Sequence, residues 1–287
     1  MGSSKGTAAG AAAASRGRTA ARAGVFLAVA FLASGLLGGM QAAAGVPAEV
    51  LQLTQFGPAL AVAAVALLWP GEVRALLAGA LRGAGRGGET RASGTGARAS
   101  RTGLRASWAL PATALLVIGG SVAAYGLVTG DVRFTGPAEV SGHSFALIVA
   151  AQFLGACGEE IGWRCLLQPL LRTRWGVFAS SVVVGLLWGA WHVPVFAQAP
   201  AYAGAFLLAT VGMSVVLGRA LDRVRSYRLP LAGGFHLLIN LGMLLFMDEE
   251  SGAVLPMALL ALASLAAGAV WTGAVRTGAV RTCGRRP

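Results

Sequence analysis

The 287-residue chain is 56% hydrophobic and only 12% charged, with a mean hydropathy of +0.69. This composition excludes an ordinary soluble globular domain and leaves room for about eight membrane spans of roughly 20 residues each. The formal net charge is +12, but the basic residues lie between hydrophobic runs. They therefore indicate orientation in a membrane with anionic headgroups, and not a nucleic acid partner.

Eight apolar runs follow one another along the chain and predict transmembrane helices. The Gly/Ala/Ser-rich residues 1–23 predict a disordered basic cytoplasmic arm, and the Gly/Ser/Thr-rich residues 70–108, with seven arginines, predict a flexible loop. The membrane domain is expected over 24–274, and residues 275–287 form a basic cytoplasmic tail. The apolar runs cover about 25–44, 50–69, 109–129, 143–171, 176–198, 202–218, 230–247 and 254–272.

The charge of the connecting loops alternates between basic and neutral or acidic, which predicts both termini on the cytoplasmic side. The predicted fold is an all-α polytopic membrane helical bundle of about eight transmembrane helices, and the Ala/Gly/Arg bias favours the plasma (inner) membrane of a bacterium. A cleaved signal peptide is the alternative for the first run. We favour a retained span because the apolar stretch continues past Leu37.

The fourth run contains charged residues, which are costly in hydrocarbon. Glu159 and Glu160 are adjacent, and Arg164 follows four residues after Glu160. Residues four apart share a helix face, so Glu160 is expected to pair with Arg164. Glu159 is then left as a carboxylate without a fixed partner, which suits a general base.

Two later runs each carry one histidine, in the spacings Trp188–x3–His192 and His236–x3–Asn240. Taken singly, His192 reads as a core histidine, and His236 with Asn240 as an interhelical hydrogen-bond pair. The tryptophans read as packing or interfacial anchors, and His143 at a run entrance as solvated. Two acids, one arginine, two histidines and one asparagine in nearby runs nevertheless cost too much for packing alone, so they predict a functional site.

The motifs EExxxR, WxxxH and HxxxN, in this order, resemble the CAAX-processing and bacteriocin-processing (CPBP, or Abi) family of intramembrane proteases. The chain has Trp188 where the family more often has Phe, and the resemblance covers about 143–247. It implies an endopeptidase that cleaves a hydrophobic peptide or membrane-anchored protein with a water activated by Glu and His. The implied catalytic residues are Glu159, Glu160, Arg164, His192, His236 and Asn240.

In the roles that the resemblance implies, Glu159 and His192 activate the water, while His236 and Asn240 stabilise the oxyanion. We expect no cofactor and favour a glutamate mechanism, because the chain has no HExxH sequence. The alternative is a metalloendopeptidase with zinc on Glu159, His192 and His236. The cysteines, Cys157, Cys165 and Cys283, have no ligand spacing and are expected to be reduced.

Two functions from other classes stay open. One is a non-catalytic bacteriocin-immunity or membrane scaffold protein, and the other is a proton-coupled transporter with the buried acids and histidines as its relay. The helix rise makes a further prediction, since straight helices would place His236 only about 12 Å up its span but Glu159 and His192 about 20–25 Å up theirs. An active site therefore requires tilt or a break near Pro169, Pro194 or Pro230.

Overall fold

A computed structural model describes residues 3–81, 95–132, 134–136, 144–222, 224–247 and 253–283, with side chains described outside 3–16, 95–105 and 274–283. All regular secondary structure within these residues is helical, as predicted. The α-helices are α1 (Ser3–Met40), α2 (Gly57–Leu68), α3 (Pro70–Leu77), α4 (Thr95–Thr129), α5 (Phe145–Gly162), α6 (Gln168–Arg172), α7 (Val177–Trp191), α8 (Pro200–Leu221), α9 (Arg228–Phe246) and α10 (Val254–Cys283).

Each predicted apolar run contains a helix. Two runs give helices of only 10–17 residues, Leu53–Leu68 and Val177–Trp191. The other six are long and apolar enough to cross a membrane: Gly17–Met40, Ala106–Thr129, Phe145–Arg172, Pro200–Leu221, Arg228–Phe246 and Val254–Gly273. The chain is therefore an all-α, multi-pass membrane protein.

Helix extends into two segments that were expected to be irregular. Helix α1 begins at Ser3, inside the predicted disordered arm, and the predicted loop 70–108 contains α3 and the first turns of α4. In residues 3–23 and in the first turns of α4 (95–108), alanine, the strongest helix former, is more frequent than glycine. Residues 82–94, His143 and the acidic stretch 248–250 lie outside the described part of the chain.

Helix α1 is part of the core. Phe26 is fully buried, with its ring edge-on to Trp163 at a centroid distance of 5.3 Å. From α7, the indole Nε1 of Trp191 donates a hydrogen bond to Ser34 Oγ at 3.0 Å. A retained first span, the interpretation favoured from the sequence, predicts such packing.

Small residues let the C-terminal helices pack closely. A Cβ on Gly212 of α8 would lie 2.5 Å from the backbone carbon of Ser264 in α10, and a Cβ on Gly185 of α7 would lie 2.6 Å from the Cα of Val211. Neither contact leaves room for a side chain, so α7, α8 and α10 touch through their backbones. This arrangement joins α7 to α10 through α8.

The helices break at two of the three prolines named from the sequence. A π-helical turn (Trp163–Leu167) precedes Pro169, which has no N–H to donate to the carbonyl four residues earlier. Helix α7 ends at Trp191, and a 3₁₀ segment (Val193–Ala197) with Pro194 follows. Pro230 lies in the first turn of α9, where proline is tolerated. The predicted irregularity therefore lies next to Glu160 and His192.

Candidate active site

Two adjacent buried carboxylates near the end of α5 form the centre of the site. Glu159 is 1% and Glu160 0% exposed. Glu160 Oε2 lies 3.0 Å from Arg164 Nε, and its Oε1 lies 3.0 Å from His236 Nδ1. The predicted Glu160–Arg164 pair is confirmed, and Glu160 also connects α5 to α9.

Glu159 has two hydrogen-bond donors, so the prediction that it lacks a fixed partner is wrong. Trp188 Nε1 donates to Oε2 at 2.7 Å, and Gln55 Nε2 donates to Oε1 at 3.1 Å. Both donors are neutral, so they hold the carboxylate without adding a positive charge. Each oxygen still has a lone-pair direction for a further hydrogen bond.

His192 lies directly after the last residue of α7. Its Nδ1 is 2.8 Å from the carbonyl oxygen of Trp188, and because a carbonyl only accepts, Nδ1 must carry the hydrogen. In the neutral ring, Nε2 is then the basic nitrogen. The rings of Trp188 and His192 lie 5.9 Å apart, which confirms that the two residues share a face.

His236 faces the acid pair from α9. Its Nδ1 points at Glu160, and its ring meets the Trp188 indole edge-on at a centroid distance of 5.1 Å. Because a carboxylate accepts, Nδ1 of His236 carries the hydrogen of this contact. A protonated His236 donates from both ring nitrogens, so its Nε2 would be a donor as well.

Asn240 contacts a different part of α5. Its Nδ2 lies 3.3 Å from Gln152 Oε1, and Gln152 Nε2 donates to the carbonyl oxygen of Glu49 at 3.0 Å. Gln152 is seven residues before Glu159, about 10 Å along the helix. The Asn240 amide therefore lies toward the N-terminal side of the acid pair, and among the described residues only one of its two N–H groups has a partner.

Trp188 links the other members of the site. It donates to Glu159 and accepts from His192, and the guanidinium carbon of Arg164 lies 4.8 Å from the centroid of its ring. A phenylalanine, the commoner residue in the CPBP motif, has no hydrogen to donate to Glu159. The sequence interpretation of Trp188 as an anchor missed this contact.

Polar residues that sequence reasoning did not single out complete the network. Arg164 Nη1 donates to Ser214 Oγ at 3.2 Å, and Ser214 Oγ donates to the carbonyl oxygen of Ser181 at 2.6 Å. These serines connect α8 and α7 to Arg164. Together with Gln55 and Gln152, they are neutral polar residues beside or within apolar runs, which is the signal that could have found them.

The residues of the alternative zinc set, Glu159, His192 and His236, each have a contact in this arrangement. In the part of the chain that the structure describes, no group of three or more His, Cys, Asp or Glu side chains is placed to hold a metal ion. Both oxygens of Glu159 accept hydrogen bonds, and His236 Nδ1 lies against Glu160. A zinc ion on Glu159, His192 and His236 would therefore have to bind through Nε2 of each histidine and a remaining lone pair of Glu159.

Comparison with known proteins agrees with this picture. Residues 141–242 match the family model described as type II CAAX prenyl endopeptidase Rce1-like. The matched region contains all six predicted site residues. It does not include Gln55.

Curated relatives are similar over parts of the chain. A CAAX prenyl protease 2 of Methanococcus maripaludis is 28% identical over 162 residues, which are 53% of this chain and 59% of that protein. A lysostaphin resistance protein A of Staphylococcus epidermidis is 27% identical over 117 residues (41% of this chain, 30% of that protein), and one of Staphylococcus aureus is 28% identical over 109 residues (37% and 25%). In each comparison, the alignment spans less than two thirds of the relative's length.

These matches confirm the resemblance to the CPBP family for the region that holds the three motifs. The matching family model is one of CAAX prenyl endopeptidases, and the Methanococcus relative is a CAAX prenyl protease.

Proposed function

We propose that this protein is an intramembrane endopeptidase of the CPBP type. The observation that carries the proposal is the pair of contacts made by Trp188. One joins it to the buried carboxylate of Glu159, and the other to His192, whose Nε2 is a free base in the neutral ring. Two basic groups held by one residue, Glu159 by the indole N–H of Trp188 and His192 by its backbone carbonyl, suit the activation of a water molecule.

In the proposed reaction, Glu159 and His192 take a proton from water as its oxygen attacks the carbonyl carbon of the scissile peptide bond. The carbon–nitrogen bond then breaks, and the proton is delivered to the leaving amine. A protonated His236 would donate from Nε2 to the oxyanion, a contribution of about 3–4 kcal/mol per donor in known cases. Asn240 would supply its remaining N–H to the substrate on the N-terminal side of α5.

Glu160 and Arg164 have an orienting role in this proposal. Glu160 holds Nδ1 of His236, so it fixes which ring nitrogen faces the substrate. Arg164 neutralises Glu160 and is itself held by Ser214. The pairing allows a buried carboxylate to act on the histidine without remaining unpaired.

We further propose that the substrate is a hydrophobic peptide or a membrane-anchored protein, because the site lies on helices apolar enough to be embedded in lipid. A bacterial plasma membrane location with both termini in the cytoplasm is the proposed setting. The proposed mechanism uses protein groups alone, without a bound metal.

A cleavage assay with purified protein in detergent tests this proposal. A library of hydrophobic-tailed peptides would be incubated with wild type, Glu159→Gln and His192→Ala, with and without a chelator, and the products read by mass spectrometry. Glu72→Gln is the matched control, since the Glu72 side chain is 47% exposed and pairs only with Arg22 among the contacts described.

The proposal expects cleavage by wild type and Glu72→Gln, loss of at least about 100-fold in both site variants, and no effect of the chelator. Cleavage that the chelator abolishes and zinc restores would contradict the metal-free mechanism. Folded wild-type protein that cleaves no peptide, or undiminished cleavage by Glu159→Gln, would contradict the proposed activity itself.

A further inference from the structure

Gln55 lies in the 3₁₀ turn (Leu53–Phe56) between α1 and α2, outside the region that matches the family model. Its side chain is only 4% exposed. The turn is held firmly by side chains of α1 and the following loop: Ser34 Oγ donates to the carbonyl of Thr54 at 2.9 Å, and Gln41 Oε1 accepts from the backbone N–H of Leu53 at 2.8 Å. These two hydrogen bonds hold the backbone on the N-terminal side of Gln55 independently of the contacts that the Gln55 side chain makes.

Two glycines of α5 make room for this turn. A Cβ on Gly155 would lie 2.1 Å from Gln55 Oε1, and a Cβ on Gly158 would lie 2.9 Å from the Gln55 carbonyl oxygen. Any other residue at either position would displace Gln55 or the turn. The surface of α5 next to Glu159 is thus shaped to receive a glutamine from elsewhere in the chain.

Only the nitrogen of the Gln55 carboxamide makes a hydrogen bond among the described atoms. Nε2 donates to Glu159 Oε1 at 3.1 Å, while Oε1 is buried against Gly155 and has no hydrogen-bond partner among the described atoms. A reversed amide would place its oxygen against the carboxylate oxygen, which is repulsive. The donor orientation is therefore the one that the carboxylate favours.

We propose that Gln55 is a positioning residue for Glu159, an inference that rests on the proposed proteolytic function. Trp188 Nε1 holds one carboxylate oxygen and Gln55 Nε2 the other, from α7 and from the α1–α2 connection respectively. Two donors on separate oxygens stop rotation of the carboxylate about its last bond. One lone-pair direction on each oxygen then remains for the water that Glu159 is proposed to activate.

The first test compares Gln55→Met with Gln52→Met. Methionine keeps the length and packing of Gln55 but has no N–H, whereas Gln52, three residues earlier, is exposed and makes no side-chain cap. We expect Gln55→Met to lower kcat about 10- to 100-fold, the range for a hydrogen bond to a charged group, with KM changed less than about 2-fold. Gln52→Met is expected to match wild type.

A pH profile separates positioning from a merely structural role. If Gln55 acts on Glu159, loss of its N–H disfavours the ionised carboxylate, so the acid limb of the kcat profile moves to higher pH by about one unit in Gln55→Met. A structural defect would lower the plateau and leave the limb in place. An unmoved limb, whether kcat is lowered or unchanged, would overturn the proposal.

Gly155→Ala disturbs the hydrogen bond between Gln55 and Glu159 without changing either residue. The added methyl group would push the flexible end of Gln55 away from Glu159, so we expect the same loss of kcat and the same moved limb. Gly119→Ala on α4, where a Cβ meets no atom within 4 Å, is the control and should behave as wild type. Wild-type kinetics in Gly155→Ala would contradict the proposal.

A readout without catalysis distinguishes failure of this inference from failure of the proposed function. A hydrophobic carbodiimide labels carboxyl groups in membrane proteins, and mass spectrometry would follow labelling at Glu159, with Glu159→Gln as the blank. Faster labelling in Gln55→Met than in wild type and Gln52→Met supports the positioning role even if no peptide is cleaved. Equal labelling rates, in a wild type that does cleave, would overturn the positioning role alone.

Discussion

At the scale of single residues, Trp188 contacts four of the six site residues predicted from the sequence. It touches Glu159 through Nε1, His192 through its carbonyl, and Arg164 and His236 through its ring. An indole is the one aromatic side chain that combines a large packing face with an N–H donor and no acceptor. Its hydrogen bond leaves Glu159 free of any added positive charge.

Replacing Trp188 with Phe should separate the packing role from the hydrogen bond. The ring contacts are largely kept, but the donor to Glu159 is lost, so we expect kcat to fall about 10-fold while thermal stability changes little. Trp271→Phe is the control, because Trp271 Nε1 also donates a hydrogen bond, to Thr113 at 3.2 Å, far from the site in sequence and in a different helix pair. Equal activity of both variants in the peptide assay would count against the role of the Trp188 N–H.

The buried ion pair predicts a large effect on stability. Arg164→Met leaves Glu160 buried with only His236, so the free energy of unfolding should fall by about 3–5 kcal/mol. Arg172→Met breaks a partly exposed pair with Asp222 and should cost no more than about 1 kcal/mol. Denaturant titration in detergent measures both, and comparable losses in the two variants would contradict the burial described for Arg164.

The residues of the motifs could be predicted from the sequence, but not all of their partners. The pairing of Glu160 with Arg164 follows from helix spacing, and so does the shared face of Trp188 and His192. Gln55 is separated from Glu159 by 104 positions and lies in a non-periodic turn. No local pattern indicates which loop reaches which helix, so the second donor to Glu159 required the structure.

At the scale of elements, changes in helical geometry lie next to the site residues of α5 and α7. The π-helical turn (Trp163–Leu167) follows Glu160 directly, and α7 ends one residue before His192. The sequence predicted irregularity from a mismatch of depths and named three prolines. Pro230 causes no break because, in a first turn, its missing N–H has no partner in any case. Whether a proline interrupts a helix therefore depends on its position within that helix.

Close packing of α8 against α10 gives a prediction at this scale. A methyl group on Gly212 would meet the backbone of Ser264 and Leu265 at 2.5–2.7 Å, so Gly212→Ala should force the helices apart at a cost of about 1–3 kcal/mol. Gly204→Ala lies on the same helix with no atom within 4 Å and should be neutral or slightly stabilising. Thermal unfolding of the two variants provides the measurement. A Gly212→Ala midpoint equal to that of Gly204→Ala would contradict the described contact.

At the scale of the whole molecule, composition and hydropathy predicted the fold class and each apolar helix. Hydropathy did not predict the helix lengths equally well, because Leu53–Leu68 and Val177–Trp191 are shorter than an ordinary membrane span. At 1.5 Å per residue, each reaches only about 22–24 Å, less than the roughly 30 Å of a hydrocarbon core. Both short helices, with the segments at their ends, supply site residues: Gln55 at the start of one, and Trp188 and His192 at the end of the other.

The proposed topology can be tested directly. If all eight apolar helices cross the membrane, the number of crossings is even, and the basic loops place both termini in the cytoplasm. Fusions of a cytoplasm-active reporter to either terminus should then both be active in bacterial cells. A periplasm-active reporter should be inactive at both positions, and opposite results at the two termini would contradict eight crossings.

The central claim is that Glu159 drives hydrolysis of a peptide bond, and cleavage in water enriched in heavy oxygen tests it most directly. Wild-type protein and Glu72→Gln should release peptides that carry one heavy oxygen atom in the new carboxyl group, as measured by mass spectrometry. Glu159→Gln, equally folded, should release about 100-fold less. Labelled product formed by Glu159→Gln at the wild-type rate would contradict the claim.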